Sequence, residues 1–184
     1  MTPSIHEQPL PYVDRLPERG VGTVDTVVIH CTELPDLAHA REYGERPLYA
    51  DGTGNCGHYY VDRDGGIYRY APTTRVANHV RGHNSTSIGI ELVNRGRYPH
   101  WWDSRQQIMT EPYSDAQIAA LIALLRHLCL EHPNLRRIAG HEDLDTARVP
   151  ATDDASKEVS RKLDPGPLFP WPEVVRASGL IRTI

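Results

Sequence analysis

The sequence predicts a single α/β domain, and three runs of residues carry that reading. Val24-Asp25-Thr26-Val27-Val28-Ile29-His30 is β-branched and too short for a helix, so it reads as a buried strand. Ser87-Ile88-Gly89-Ile90-Glu91-Leu92-Val93 alternates, with Ile88, Ile90 and Leu92 on one side and Gly89 and Glu91 on the other. Between Ser114 and Pro133, the residues Ile118, Leu121, Ile122, Leu125, Leu128 and Cys129 recur at helical spacing. That spacing predicts a helix lying over one face of the sheet.

Taken in order, residues 1–20 mix prolines and charges without a period and predict an irregular arm over the domain. The first strand delivers His30 at its C-terminal end, and Cys31 turns to the opposite face. Between Glu33 and Asn55 a short helix is expected around Leu37–Tyr43, followed by the loop Ala50–Asn55 as a mobile wall. Cys56–Val61 and Ile67–Tyr70 flank Asp62-Arg63-Asp64-Gly65-Gly66, a hairpin signal. Ser114, with Gln117 three residues on, predicts a capping box at the start of the long helix. Arg137–Gly140 reads as a short strand leading to His141, and the polar segment Asp143–Ser160 as a loop or frayed helix. Trp171–Ala177 predicts a terminal helix, with Pro172 tolerated in its first turn. The whole chain, 1–184, is read as one domain with its core at about 24–177.

Composition narrows the class. At 184 residues the chain can bury one substantial core but not two. A hydrophobic fraction of 39%, a charged fraction of 24% and a net charge of −4 are ordinary for a globular protein and give no electrostatic case for nucleic acid. Three cysteines without a CxxC pair do not make a disulfide framework and suit a reducing compartment. No basic segment followed by an apolar stretch opens the chain, so a cytoplasmic location is expected, and no run suggests a membrane span. Nothing in the sequence fixes an oligomeric state; a monomer is the simplest expectation.

Among ten histidines, two stand in settings of interest. His30 ends the first strand, and His141 lies in Ala139-Gly140-His141-Glu142-Asp143; with Asp164 in Lys162-Leu163-Asp164-Pro165-Gly166-Pro167 they have the composition of an open catalytic zinc site. Two imidazoles and one carboxylate leave a fourth tetrahedral position free for water, whereas structural zinc is usually closed by thiolates. Asp-Pro-Gly is also a turn sequence, which is compatible with ligation. His79 and His83 are four apart and could share a helical face, but Gly82 lies between them and the glutamate of HExxH is missing. They are set aside as a primary metal pair. His6, His39, His100, His127 and His132 sit in polar or irregular settings and read as ordinary residues. Tyr98, Trp101 and Trp102 read equally as a sugar or peptide platform and as a packing cluster.

Val27-Val28-Ile29-His30, Gly57-His58-Tyr59, Asp64-Gly65, Asn78-His79, Ser87-Ile88-Gly89-Ile90-Glu91, Gly140-His141 and Lys162-Leu163-Asp164-Pro165-Gly166-Pro167 together resemble the zinc-dependent N-acetylmuramoyl-L-alanine amidases of type 2. This is the AmpD-like family related to animal peptidoglycan recognition proteins, and the blocks occur in family order from about Val24 to Trp171. The resemblance implies a central mixed β-sheet flanked by α-helices and Zn2+ held by His30, His141 and Asp164. It implies Glu91 as the acidic catalytic residue facing the metal and Lys162 as the basic one. His58, His79 and Asn78 are candidate substrate-binding or supporting groups, with core packing as the competing reading of the two histidines.

The implied reaction is hydrolysis of the amide between N-acetylmuramic acid, or its 1,6-anhydro form, and L-alanine of the peptidoglycan stem peptide. A muropeptide or peptidoglycan fragment is then the partner, in cell-wall recycling or remodelling. The alternative is a non-catalytic peptidoglycan-binding module; retention of three ligand candidates plus Glu91 favours catalysis. The segment Asp143–Arg161 is long and polar for the family pattern and leaves one cleft wall open.

Overall fold

In the computed structural model, which describes residues 2–184, the chain runs β1 (Ile5–Glu7), β2 (Thr26–Cys31), α1 (Leu37–Glu45), β3 (Tyr59–Val61), β4 (Ile67–Arg69), β5 (Ser87–Leu92) and α2 (Asp115–Glu131). It continues through β6 (Arg137–Gly140), α3 (His141–Leu144), β7 (Arg148–Pro150), β8 (Glu158–Ser160), α4 (Trp171–Ser178) and β9 (Ile181–Arg182). Seven strands form one sheet in the order β1-β4-β3-β5-β2-β6-β9. Only β3 and β4 pair antiparallel; the other neighbours are parallel, so the sheet is mixed, as expected.

The two most apolar strands, β2 and β5, take the middle because both their faces are covered. Val27, Ile29, Ile88, Ile90 and Leu92 are fully buried against Leu121, Leu124, Leu125 and Leu128 of α2 and Val174 of α4. Each such side chain contributes roughly 1.5–3 kcal/mol on burial. The alternation therefore locks the register: a slip of one residue in β5 turns the isoleucines out and drives Glu91 into the apolar layer. A smaller cluster on the other face joins Leu10, Tyr12 and Leu16 of the arm to Ala40 of α1, Tyr60 of β3 and Tyr70.

Several expectations are corrected. The arm is not wholly irregular: Ile5–Glu7 adds an edge strand to β4, and Leu10, Tyr12 and Leu16 are buried. The capping box is only half made. Ser114 Oγ accepts from the Gln117 backbone N–H at 3.0 Å, but the Gln117 side chain, 1% exposed, turns inward and donates to the carbonyls of Val61 (2.9 Å) and Val93 (3.1 Å). It ties α2 to the ends of β3 and β5 instead of closing its own helix. The polar segment after Asp143 contains the antiparallel hairpin β7–β8, and β9 extends the sheet beyond the terminal helix. No helix among the described residues is long and apolar enough to cross a membrane.

Candidate active site

Three parallel neighbours bring the site together. In the β2–β5 register His30 stands opposite Glu91, and on the other side of β2 Ile29 stands opposite Gly140, the residue before His141. All three functional groups thus emerge at the C-terminal ends of the central strands, where parallel sheets place their ligands. Asp164 arrives on the loop after β8. Its carbonyl accepts from the Glu142 N–H at 2.9 Å, and Tyr113 Oη donates to the next carbonyl, that of Pro165, at 2.6 Å.

His30 Nδ1 and His141 Nδ1 lie 2.9 Å apart, and each is 3.1 Å from Asp164 Oδ2. A tetrahedral zinc with bonds of about 2.0–2.1 Å holds its ligand atoms about 3.3 Å apart. The three residues are only 2–3% exposed. His141 Nε2 and Asp164 Oδ1 are buried without a hydrogen-bond partner. Two imidazole nitrogens and a carboxylate oxygen converging in a buried space form a donor set that fits a divalent zinc ion. Burial, then the neighbouring His141, pushes His30 down to about 4, which favours its neutral form. Burial opposes ionisation of Asp164, yet His141, Lys162 and His30 together hold its carboxyl well below the usual range. A neutral imidazole and an ionised carboxylate are the ligand forms that zinc requires.

Glu91 Oε1 lies 4.0 Å from His30 Nδ1, and the Glu91 side chain is 16% exposed. Burial, reinforced by the negative charge of Asp164 and opposed by Lys162, pushes its carboxyl up to about 8. Gly57 makes room for it, since a Cβ there would lie 2.8 Å from Glu91 Cγ. Both Glu91 and Lys162 line a cleft of about 550 Å3 together with the metal-ligand candidates, Asn78 and His79.

The remaining candidates sort differently. His58 is fully buried, lies away from the cleft lining and is not positioned to touch a substrate. Its Nδ1 accepts from the Gly89 N–H at 3.0 Å, so its Nε2 carries the proton and donates to the Arg75 carbonyl at 3.0 Å. Asn78 lines the cleft, but its amide N–H groups go to Thr53 Oγ1 and the Gly54 carbonyl, both at 3.3 Å. They brace the expected mobile wall, in which the N–H groups of Leu48 and Tyr49 also converge on the Thr53 carbonyl at 2.8 and 3.0 Å. Tyr98 and Trp101 pack edge to face, and Trp101 Nε1 donates to the Glu33 carbonyl at 3.0 Å; Trp102, 43% exposed, stands at the cleft mouth.

Two ion pairs that sequence reading missed shape the wall carrying Lys162. Arg97 Nε and Nη2 grip Glu33 at 2.7 and 2.8 Å, and Arg97 Nη1 donates to the Ser160 carbonyl at 2.9 Å. Arg161 pairs with Asp145. Partners so distant in sequence leave no periodic signal.

The fold and the donor set define a class: a mixed-sheet α/β domain with two histidines and one carboxylate placed where they could hold a metal ion. The profile of the family described as N-acetylmuramoyl-L-alanine amidase matches residues 20–167, and the chain belongs to that family. Among curated relatives, the chain is 36% identical over 94 residues to N-acetylmuramoyl-L-alanine amidase AmiD of Escherichia coli (strain K12), covering 50% of this chain and 28% of that protein. It is 31% identical over 120 residues to 1,6-anhydro-N-acetylmuramyl-L-alanine amidase AmpD of Enterobacter cloacae, covering 60% of this chain and 50% of that one. The chain thus spans half or less of the length of these relatives.

Among solved structures, E. coli AmiD in complex with anhydro-N-acetylmuramic acid-L-Ala-D-gamma-Glu-L-Lys superposes with a TM-score of 0.62 at 26% identity, over 86% of this chain and 58% of that one. An AmpD structure gives 0.69 at 21% identity, over 94% and 93%. Drosophila peptidoglycan recognition protein LB gives 0.60 at 17%, over 78% and 85%, a likeness of fold.

Proposed function

We propose that this protein is a zinc-dependent hydrolase of the amide joining N-acetylmuramic acid, or its 1,6-anhydro form, to L-alanine of the stem peptide. The observation that carries the reading is the convergence of His30, His141 and Asp164 on one point with Glu91 4.0 Å from His30, inside the cleft of a chain of this family. The substrate class draws support from E. coli AmiD with its anhydromuropeptide and from AmpDh3 of Pseudomonas aeruginosa, solved in complex with an anhydromuramic pentapeptide.

His30, His141 and Asp164 hold the metal, which when bound supplies Lewis-acid chemistry, acidifying water and polarising a carbonyl. Glu91, whose ionised form a bound cation would favour against the burial that lifts its carboxyl to about 8, takes a proton from the attacking water as its oxygen bonds to the lactyl carbonyl carbon. Lys162 balances the charge that develops on the carbonyl oxygen. Glu91 then passes its proton to the alanine nitrogen as the C–N bond breaks, leaving a lactyl carboxyl group and a free amine. Recycling of small anhydromuropeptides in the cytoplasm is the setting we favour, supported by three free cysteines and by the AmpD relatives. The test is zinc content together with turnover of an anhydromuropeptide and of polymeric sacculus. Zinc retained without turnover of either identifies a binding module; turnover of sacculus alone moves the setting to wall remodelling.

A further inference from the structure

The polar face of β5 carries more than Glu91. Ser87, Gly89 and Glu91 share that face, and His79 is seated on it: a Cβ at Gly89 would lie 2.6 Å from His79 Cγ. His79 stands edge-on to His30, with ring centroids 5.2 Å apart. His79 Nδ1 is 3.0 Å from His30 Nε2, and His79 Nε2 is 3.2 Å from Ser87 Oγ. Ser87 Oγ lies 2.7 Å from the carbonyl of His83.

Counted from the Ser87 end, the direction of each hydrogen in this chain is set, and at the other end Asp164 Oδ2, an acceptor 3.1 Å from both His30 Nδ1 and His141 Nδ1, takes its proton from His141. A carbonyl only accepts, so the single hydroxyl hydrogen of Ser87 goes to His83. Ser87 Oγ is then an acceptor for His79 Nε2–H. A neutral His79 protonated at Nε2 has a bare Nδ1, which accepts from His30 Nε2–H. His30, protonated at Nε2, presents a bare Nδ1 to the point where His141 Nδ1 and Asp164 Oδ2 converge. His141 lacks such a device, since its own Nε2 has no partner.

We propose that Ser87 and His79 are positioning residues that fix the tautomer and ring orientation of His30, so that one lone pair of the metal site is set before metal arrives. This rests on the reading of His30 as a metal ligand given above. The outer partner of a ligating histidine both orients the ring and selects the nitrogen that binds; its loss typically costs 10–100-fold in metal affinity. Here the partner is a second histidine whose own polarity is set by a serine hydroxyl at the start of β5. The Ser-x-Gly-x-Glu pattern on one strand face therefore has three parts: Ser87 sets proton direction, Gly89 seats the ring and Glu91 faces the reaction.

The experiment is nitrogen-15 NMR of the imidazole rings in the metal-free full chain at neutral pH, with zinc affinity measured by chelator competition. In the native protein His30 is expected as the Nε2–H tautomer. Ser87→Ala, remote from the metal, should mix the His30 tautomers and weaken zinc binding. His79→Leu should weaken it on the order of 10- to 100-fold. His79→Asn, whose Oδ1 takes the place of Nδ1, should recover most of the loss. Finding His30 as Nδ1–H in the native protein overturns the proposal, as does unchanged zinc affinity in both Ser87→Ala and His79→Leu. Turnover is not among the readouts, so failure of the hydrolase reading and failure of this one are told apart.

Discussion

Glu91 concentrates the conflict between stability and activity in this molecule. Its carboxyl ionises near 4.5 in an unfolded chain but near 8 in the metal-free fold, because burial and Asp164 both oppose the charge. Between those values the unfolded state sheds a proton that the folded state keeps, so stability falls as pH rises through this window. Glu91→Gln removes that dependence. In the metal-free protein it should raise the melting temperature at pH 8 relative to the native chain by an amount worth a few kcal/mol, roughly, with little gain below pH 4.5. In the zinc-loaded protein it should lower kcat by about 10²- to 10⁴-fold.

His58 carries the opposite sign. Burial and Arg19 push its imidazole down to about 3, so below pH 6.5 the unfolded chain binds a proton that the folded one refuses. Its contribution is full above 6.5 and drains away as pH falls towards 3; the denaturant midpoint of the native protein should fall relative to that of His58→Asn as pH drops through this range, with a constant difference between the two above it. His30, His141, Asp164, Glu91 and Lys162 were singled out from the motifs around them, and the fold brings them to one cleft. The role of His58 was not legible, because nothing in Gly57-His58-Tyr59 distinguishes a cleft wall from a bond to the next strand.

Strand alternation was the most legible feature among the elements. In β5 it assigned Ile88, Ile90 and Leu92 to one face and Glu91 to the other, because a half-buried strand has a period of two. The short strands β1 and β9, of three and two residues, carry no period to read. β7 and β8 have a single buried residue, Val159, so their pairing left no apolar trace in the sequence. Gln117 shows a different limit: its spacing from Ser114 satisfied a helix-capping rule, while its side chain served two strand ends. Gln117→Ala leaves the Val61 and Val93 carbonyls without that donor, and equilibrium unfolding should record a loss of roughly 1–3 kcal/mol. Ser114→Ala removes the cap together with the hydroxyl's bond to the Arg63 carbonyl and should cost about 1–2 kcal/mol.

Across the molecule, the candidate metal site depends on segments far apart in the chain being held in one frame. Glu33 follows β2 in a left-handed conformation, φ 49°, costing on the order of 1 kcal/mol, which its paired bonds to Arg97 offset. Arg97 in turn holds the Ser160 carbonyl, just before Arg161 and Lys162 on the way to Asp164. Arg97→Leu strands a buried carboxylate; the expected result is a loss of about 3–5 kcal/mol by denaturant unfolding, with zinc released at lower chelator concentration.

The proposed amide hydrolysis is tested most directly by its products. Zinc-loaded native protein and zinc-loaded Glu91→Gln, incubated with an anhydromuramyl peptide, should be compared by mass spectrometry of the products. The expected outcome is anhydro-N-acetylmuramic acid and a peptide with a free L-alanine amine from the native protein, and almost none from the variant. Cleavage at another bond, no cleavage, or equal cleavage by Glu91→Gln contradicts it.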